Sequence, residues 1–208
     1  MKEAAAIVLA GGKSTRLGRD KASEPLLGVP MLQRVLDRLS GLVDEFVIVR
    51  RAGQVLPAVS LSDLTVVEDI YPDSGPLGGI YTGLQATTAP RAVAVACDMP
   101  LLRRELVAEL LRLAPDHDLV VPVSEEFPQP LCAVYAKACL EPIRQQLETG
   151  NFKITGFFGR LRPRYLQPPE WRPFDPEGLS FMNLNREEDL ARAAALLAAE
   201  EGAGRQAI

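Results

Sequence analysis

Residues 9–22 read LAGGKSTRLGRDKA: adjacent Gly11 and Gly12, then Lys13, Arg16, Arg19 and Lys21, with the hydroxyls of Ser14 and Thr15 among them. Glycine lets a chain turn sharply and brings backbone N–H groups close to a ligand. Cations and hydroxyl donors at this spacing suit an anion with many oxygens, so the chemistry suggested is polyphosphate binding. Further along, Glu68 and Asp69 end one apolar run, Asp98 ends another, and Asn183 and Asn185 flank Leu184. A cationic loop facing carboxylates suits a metal-bound nucleotide, because Mg²⁺ takes one or two carboxylates plus phosphate oxygens.

Two common phosphate motifs are absent. GKS at 12–14 resembles the end of a P-loop, but Ile7 stands where that motif needs its first glycine, and Gly11, Gly12 and Gly18 do not have the Rossmann spacing. Blander readings stay open for single features. A Gly-Gly pair serves a tight βα turn, Asp98 suits a cap for the helix after Pro100, and Asn185, with Glu188 three positions on, suits a helix cap.

The elements that must position these residues follow from apolar patterning. AAAIV (4–8) reads as a buried strand ending at the glycines, and MLQRVLDRL (31–39) as a helix with Leu32, Val35, Leu36 and Leu39 on one face. EFVIVR (45–50) and LTVVED (64–69) read as strands, and the GPLGG run near 75–79 opens a helix. RAVAVACDMPLL (91–102) carries a strand that stops at Asp98, followed by a helix over 103–113. Strands are expected at 118–123 and 131–135, with a helix over 137–148 despite Pro142. Five prolines between 163 and 176 are read as forbidding regular structure, LSFMNLN resumes an extended pattern, and a final helix shows Leu190, Ala194 and Leu197 on its apolar face. Strand–helix alternation predicts a Rossmann-like, mostly parallel sheet covered on both faces. The carboxyl ends of its strands would gather Gly11, Gly12, Asp69, Asp98 and the asparagines.

The 208 residues suit one α/β domain over 1–201, with a tail from Gly202 expected to fray. A net charge of −4 argues against sequence-independent nucleic-acid binding, so any anion site is local. Cys97, Cys132 and Cys139 form no CxxC pair and read as reduced, buried thiols of a cytoplasmic protein. No apolar stretch reaches the ~18 residues of a membrane span. His117, in the polar turn PDHD, reads as a surface residue, and no Ser/His/Asp or Cys/His arrangement supports covalent catalysis.

LAGGKSTRLGRDKA, GPLGGIYTGL, ACDMPLL and FMNLNREEDL together resemble, in order, the motifs of the molybdenum cofactor guanylyltransferase family, within the nucleotide-diphospho-sugar transferase fold. The resemblance implies a three-layer α/β/α sandwich that joins GMP from GTP to the terminal phosphate of molybdopterin and releases pyrophosphate. It implies that Leu9, Ala10, Gly11 and Gly12 line the nucleotide site, that Lys21 and Arg16 meet the phosphates, and that Asp69 lies in the guanosine site. Asp98 would hold Mg²⁺, and Asn183 and Asn185 would lie near the pterin-bearing substrate. Partner proteins of cofactor biosynthesis are implied by family alone. Leu17 stands where the family often has methionine, a volume-conserving change. The alternatives are a molybdopterin cytidylyltransferase, a sugar-phosphate guanylyltransferase, or a nucleotide-binding regulatory module without turnover.

Overall fold

The computed structural model describes residues 2–11, 20–61 and 63–206, with side chains through 202. Its centre is a sheet of β1 (Ala5–Leu9), β2 (Glu45–Arg50), β3 (Leu64–Glu68), β4 (Arg91–Ala96), β5 (Leu119–Ser124), β6 (Cys132–Ala136) and β7 (Pro163–Leu166). Their spatial order is β7-β5-β6-β4-β1-β2-β3, and Phe127–Pro128 pairs back onto the end of β5. All neighbours in this order are parallel except those of β6, which runs antiparallel to both β4 and β5.

Period-two alternation assigns the strand side chains to two layers. Ala6, Val8, Phe46, Ile48, Val93 and Val95 pack with Leu32, Val35 and Leu36 of α1 (Met31–Leu39). Ala5, Ile7, Leu9, Val47, Val49 and Ala94 pack with Leu77, Ile80 and Leu84 of α2 (Pro76–Ala86). Further helices extend both layers: α3 (Arg104–Leu113) joins α1, and α4 (Leu140–Glu148) joins α2. The result is the expected three-layer sandwich, and β1, AAIVL, is buried at every position because helices cover both its faces.

The proline-rich stretch departs from expectation, because it contains β7 and a short α5 (Pro168–Trp171). Pro163 opens an edge strand, and Pro168 and Pro169 begin a helix whose first N–H groups have no intrahelical acceptor, so neither element loses an obligatory bond. Pro142 likewise falls in the first turn of α4. LSFMNLN is not extended throughout: Leu179–Phe181 form a 3₁₀ turn, held by the buried Asp175 carboxylate, which accepts from Leu179 N (3.0 Å) and Ser180 N (2.8 Å). The last helix, α6 (Glu187–Gln206), packs Leu190, Ala193 and Leu197 on Leu26, Met31, Leu101 and Leu184.

Chain reversal about β1 fixes where a ligand fits. β2 and β3 lie on one side of β1 and β4 on the other, which opens a crevice between the carboxyl ends of β1 and β4. Glycines in α2 let that helix lie close to β1. A Cβ on Gly79 would come 2.9 Å from Leu9 Cδ2, and one on Gly83 would overlap the Ile7 side chain. Gly83→Ala should therefore destabilise the fold by about 1–3 kcal/mol. In chemical denaturation with Ile7→Ala as second mutation, the two changes should be non-additive, because truncating Ile7 removes the overlap.

Candidate functional site

Ala10 and Gly11 leave β1 at the crevice, and both N–H groups donate to Val49 O, at 2.9 and 3.2 Å. The expectation of bare N–H groups at this turn is thus corrected for Gly11, whose N–H shares the Val49 carbonyl that Ala10 reaches in continuing the parallel ladder one step past β1. Its missing side chain serves close approach instead, since a Cβ there would lie 3.1 Å from Arg51 N. Gly12 and Arg16, with Lys13, Ser14, Thr15, Leu17 and Arg19, lie outside the described residues.

Lys21 brings distant segments together. Its ammonium donates to Asp98 Oδ2 at 2.6 Å and to Asn185 Oδ1 at 2.7 Å. Only 18% of the Lys21 side chain and 13% of that of Asp98 are exposed, so each charge depends on the other for solvation. β4 stops at Ala96, two residues earlier than the sequence suggests, yet Cys97 N still bonds Leu9 O at 3.0 Å and carries Asp98 to the crevice. Leu184 N donates to Asp98 O at 2.9 Å, which seats the asparagine segment on the end of β4.

Asn185 does not cap the last helix with its side chain. Asp189 does that work from within the first turn, accepting from Asn185 N and Arg186 N, both at 2.9 Å, and the Asn185 amide is left for Lys21. Asn183 is exposed and turned away: its amide is 3.5 Å from Phe181 O, and its carbonyl accepts from Asn185 Nδ2 at 3.3 Å.

Two cavities meet at Gly11 and Gly75. One, of about 320 Å³, is lined by Leu9, Ala10, Asp20, Lys21, Cys97 and Asp98; the other, of about 580 Å³, by Arg51, Ala52, Asp69, Pro72 and Asp73. Asp69 stands just past β3, where its N–H bonds Arg50 O at 2.9 Å. Its Oδ1 accepts from Tyr71 N (2.9 Å) and lies 3.1 Å from the Thr82 hydroxyl. Burial raises the Asp69 carboxyl above the usual aspartate range, and those hydrogen bonds offset only part of the rise. Another depression, of about 650 Å³, lies beside Trp171, Arg172, Phe181 and Met182 and includes neither Lys21 nor Asp98.

The nucleophile candidates fall away. All three cysteines are free and buried, and burial, together with the Asp98 and Asp20 carboxylates, pushes the Cys97 thiol far up and keeps it protonated. His117 precedes β5, which runs parallel to β7 and in the sense of β4, so it sits at the amino edge of the sheet, opposite Asp98. Sequence reasoning missed Asp20, Arg51, Gln54 and Thr82. Asp20 lies within the cationic run and Thr82 within GPLGGIYTGL, so both could have been found there; Arg51 and Gln54 sit in a turn with no motif to mark them.

The mostly parallel sheet, covered on both faces and with its crevice at the switch point, is the nucleotide-diphospho-sugar transferase fold, and the relatives that share it are nucleotidyltransferases. Residues 6–162 match the family described as MobA-like NTP transferase domain. The molybdenum cofactor guanylyltransferase of Desulfosudis oleivorans is 36% identical over 195 residues, which is 93% of this chain and 95% of that protein. Among solved structures, molybdopterin-guanine dinucleotide biosynthesis protein A from Archaeoglobus fulgidus is similar with a TM-score of 0.78 and 26% identity, over 94% of this chain and 99% of that one. The 2-C-methyl-D-erythritol 4-phosphate cytidylyltransferase of Thermus thermophilus shares the fold, with a TM-score of 0.71 and 15% identity, over 95% of this chain and 100% of that one. The chain belongs to the molybdenum cofactor guanylyltransferase family of MobA-like NTP transferases. Among the described residues no helix is long and apolar enough to cross a membrane.

The raised Asp69 carboxyl has a measurable sign. The folded chain holds that proton more tightly than the unfolded chain, so stability falls as the pH rises from the usual aspartate range and the loss is complete once the pH passes the raised folded pKa. Asp69→Asn keeps an acceptor for Tyr71 N and removes the charge. Its Tm should exceed that of the wild type at neutral pH, and the gap should close as the pH falls below the usual aspartate range, measured by melting across a pH series.

Proposed function

We propose that this chain transfers GMP from GTP to the terminal phosphate of molybdopterin and releases pyrophosphate. The observation that carries the reading is the Lys21–Asp98–Asn185 cluster at the mouth of the β1/β4 crevice, in a chain of this family. An oxygen of the acceptor phosphate forms the new bond to the α-phosphorus of GTP. The bond from that phosphorus to the bridging oxygen breaks, and its electron pair leaves with pyrophosphate. The acceptor is ionised at neutral pH, so no side chain has to take its proton, which agrees with the remote His117 and the protonated Cys97.

Repulsion between two anions is then the main barrier, and cations placed at the phosphates lower it. Lys21 supplies one positive charge, and Asn185 fixes its direction. Asp98 and Asp20 line one cavity and are hard oxygen donors, a set that fits Mg²⁺. Bound by Asp98, Mg²⁺ would supply charge neutralisation on the phosphates.

The larger cavity suits the base. No described residue bonds Asp69 Oδ2, and a carboxylate or carbonyl there can accept from the ring and amino N–H groups of guanine. The same fold serves a cytidylyltransferase, so selectivity has to come from such local groups. A cytoplasmic site of action belongs to the same proposal and is supported by the three free cysteines. Partner proteins that hand over or receive the cofactor belong to it as well.

A mass assay with molybdopterin, Mg²⁺ and each nucleoside triphosphate tests the reading. The expected product is the guanine dinucleotide plus pyrophosphate, and faster turnover with CTP would move the assignment to cytidylyl transfer. Nucleotide binding without product would favour a regulatory module. Asp98→Asn should keep the fold and lower turnover by about two to three orders of magnitude across a Mg²⁺ titration. His117→Ala should turn over normally, whereas a loss of ~100-fold, the scale of a general base, would overturn the mechanism.

A further inference from the structure

Gln54 lies in the turn after β2 and is 6% exposed. Its amide donates twice, to Ala10 O at 3.1 Å and to Asp20 Oδ2 at 2.9 Å. Its own carbonyl oxygen accepts from Arg51 N at 3.0 Å. Both donors and an acceptor are thus engaged in a buried setting, where an unmade bond costs more than a made one contributes. The turn that carries Gln54 is itself anchored. Arg50 Nη1 donates to Gln54 O at 2.6 Å, Arg50 Nη2 to Glu68 Oε1 at 3.1 Å, and Asp69 N to Arg50 O at 2.9 Å.

Ala10 and Asp20 stand where the chain leaves β1 and where it returns beside Lys21. The sheet does not require this tie, because Ala10 N and Gly11 N are already bonded to Val49 O. The Asp20 carboxylate has only one other described tether, Ala22 N on Oδ1 at 3.0 Å, while the Asp20 backbone carbonyl accepts from Ser23 N at 3.1 Å. We propose that Gln54 is a positioning residue of the nucleotide site: its amide holds Ala10 and Asp20 in register, and through Asp20 it sets where Lys21 presents its ammonium. The same turn carries Arg51 and holds Asp69, so Gln54 also ties the phosphate-side cavity to the base-side cavity. The role at GTP rests on the function proposed above; the role at Ala10 and Asp20 does not.

Gln54→Glu is nearly isosteric but replaces two donors with a carboxylate facing the Asp20 carboxylate and the Ala10 carbonyl. Adding Asp20→Asn rebuilds the lost bond with donor and acceptor exchanged, while its Oδ1 still accepts from Ala22 N. Amide exchange of the free protein and calorimetric titration with Mg²⁺-GTP are the two readouts. In Gln54→Glu, exchange at Ala22 and Gly11 should quicken while Val8 in β1 keeps its protection, and GTP affinity should fall by about tenfold or more. The double variant should recover part of the lost protection at Ala22 and Gly11, which a merely structural lesion would not do; affinity is read on the single Gln54 variants, because Asp20 is itself a proposed Mg²⁺ donor. Gln54→Met, uncharged and of similar length, gives the same two readouts if the glutamate variant fails to fold.

Unchanged exchange at Ala22 and unchanged GTP affinity would overturn the inference, as would a double variant whose loss of protection is simply the product of the single ones. If wild type binds no GTP while exchange at Ala22 still quickens in Gln54→Glu, the proposed function falls and the positioning role stands.

Discussion

The site depends on one ion pair that is largely withdrawn from solvent. Lys21 is 77 residues from Asp98 and 164 from Asn185, and the three meet only because the strand order puts the ends of β1 and β4 side by side. Two poorly solvated charges are tolerable together and costly apart, so the pair both closes the crevice and resists losing either partner. The asparagine amide completes the set with a neutral acceptor, which gives the ammonium a direction and adds no second negative charge. Leu184, bonded to Asp98 O, makes the C-terminal segment part of this arrangement.

The crevice in turn needs a helix layer lying close to the sheet. The glycines of α2 allow that approach, and Gly75, at φ 65°, turns the chain into the helix where the two cavities meet. Polar pinning is concentrated around that edge. Asp69, Gln54 and Asp189 each fix backbone N–H or carbonyl groups of the connecting turns. Rigid strands supply direction, and the turns beyond them supply chemistry.

Periodicity made the layers legible. AAIVL and RAVAVA could only be strands covered on both faces, and the i, i+3, i+4, i+7 pattern of α1 held without exception. Lys21 and Asp98 drew attention in the sequence because one followed the glycine turn and the other ended an apolar run, and the structure brings them together. The proline stretch misled because proline is excluded by the N–H it lacks, and Pro163, Pro168 and Pro169 stand where none is needed. Asn185 stayed open because a cap and a contact to Lys21 would use the same amide, and only the position of Asp189 in the folded helix decides between them. Gln54 left no trace, since an uncharged residue in a short turn acquires its meaning from Ala10 and Asp20, 44 and 34 residues away.

The antiparallel strand β6 has a consequence for divergence. Because β6 reverses against β5, the chain returns through residues 125–131 at the carboxyl edge of β4 and β5 and needs no helical crossover. Leu131 of that return faces the Lys21–Asp98 cavity, while Glu125, Glu126 and Gln129 face the neighbouring depression. Glu125 and Glu126 both adopt positive φ, a tip geometry set by the hairpin and not by the core. Lengthening or recolouring this return would therefore change what lines both depressions while leaving every parallel ladder intact, so this part of the surface is free to diverge without disturbing the sheet.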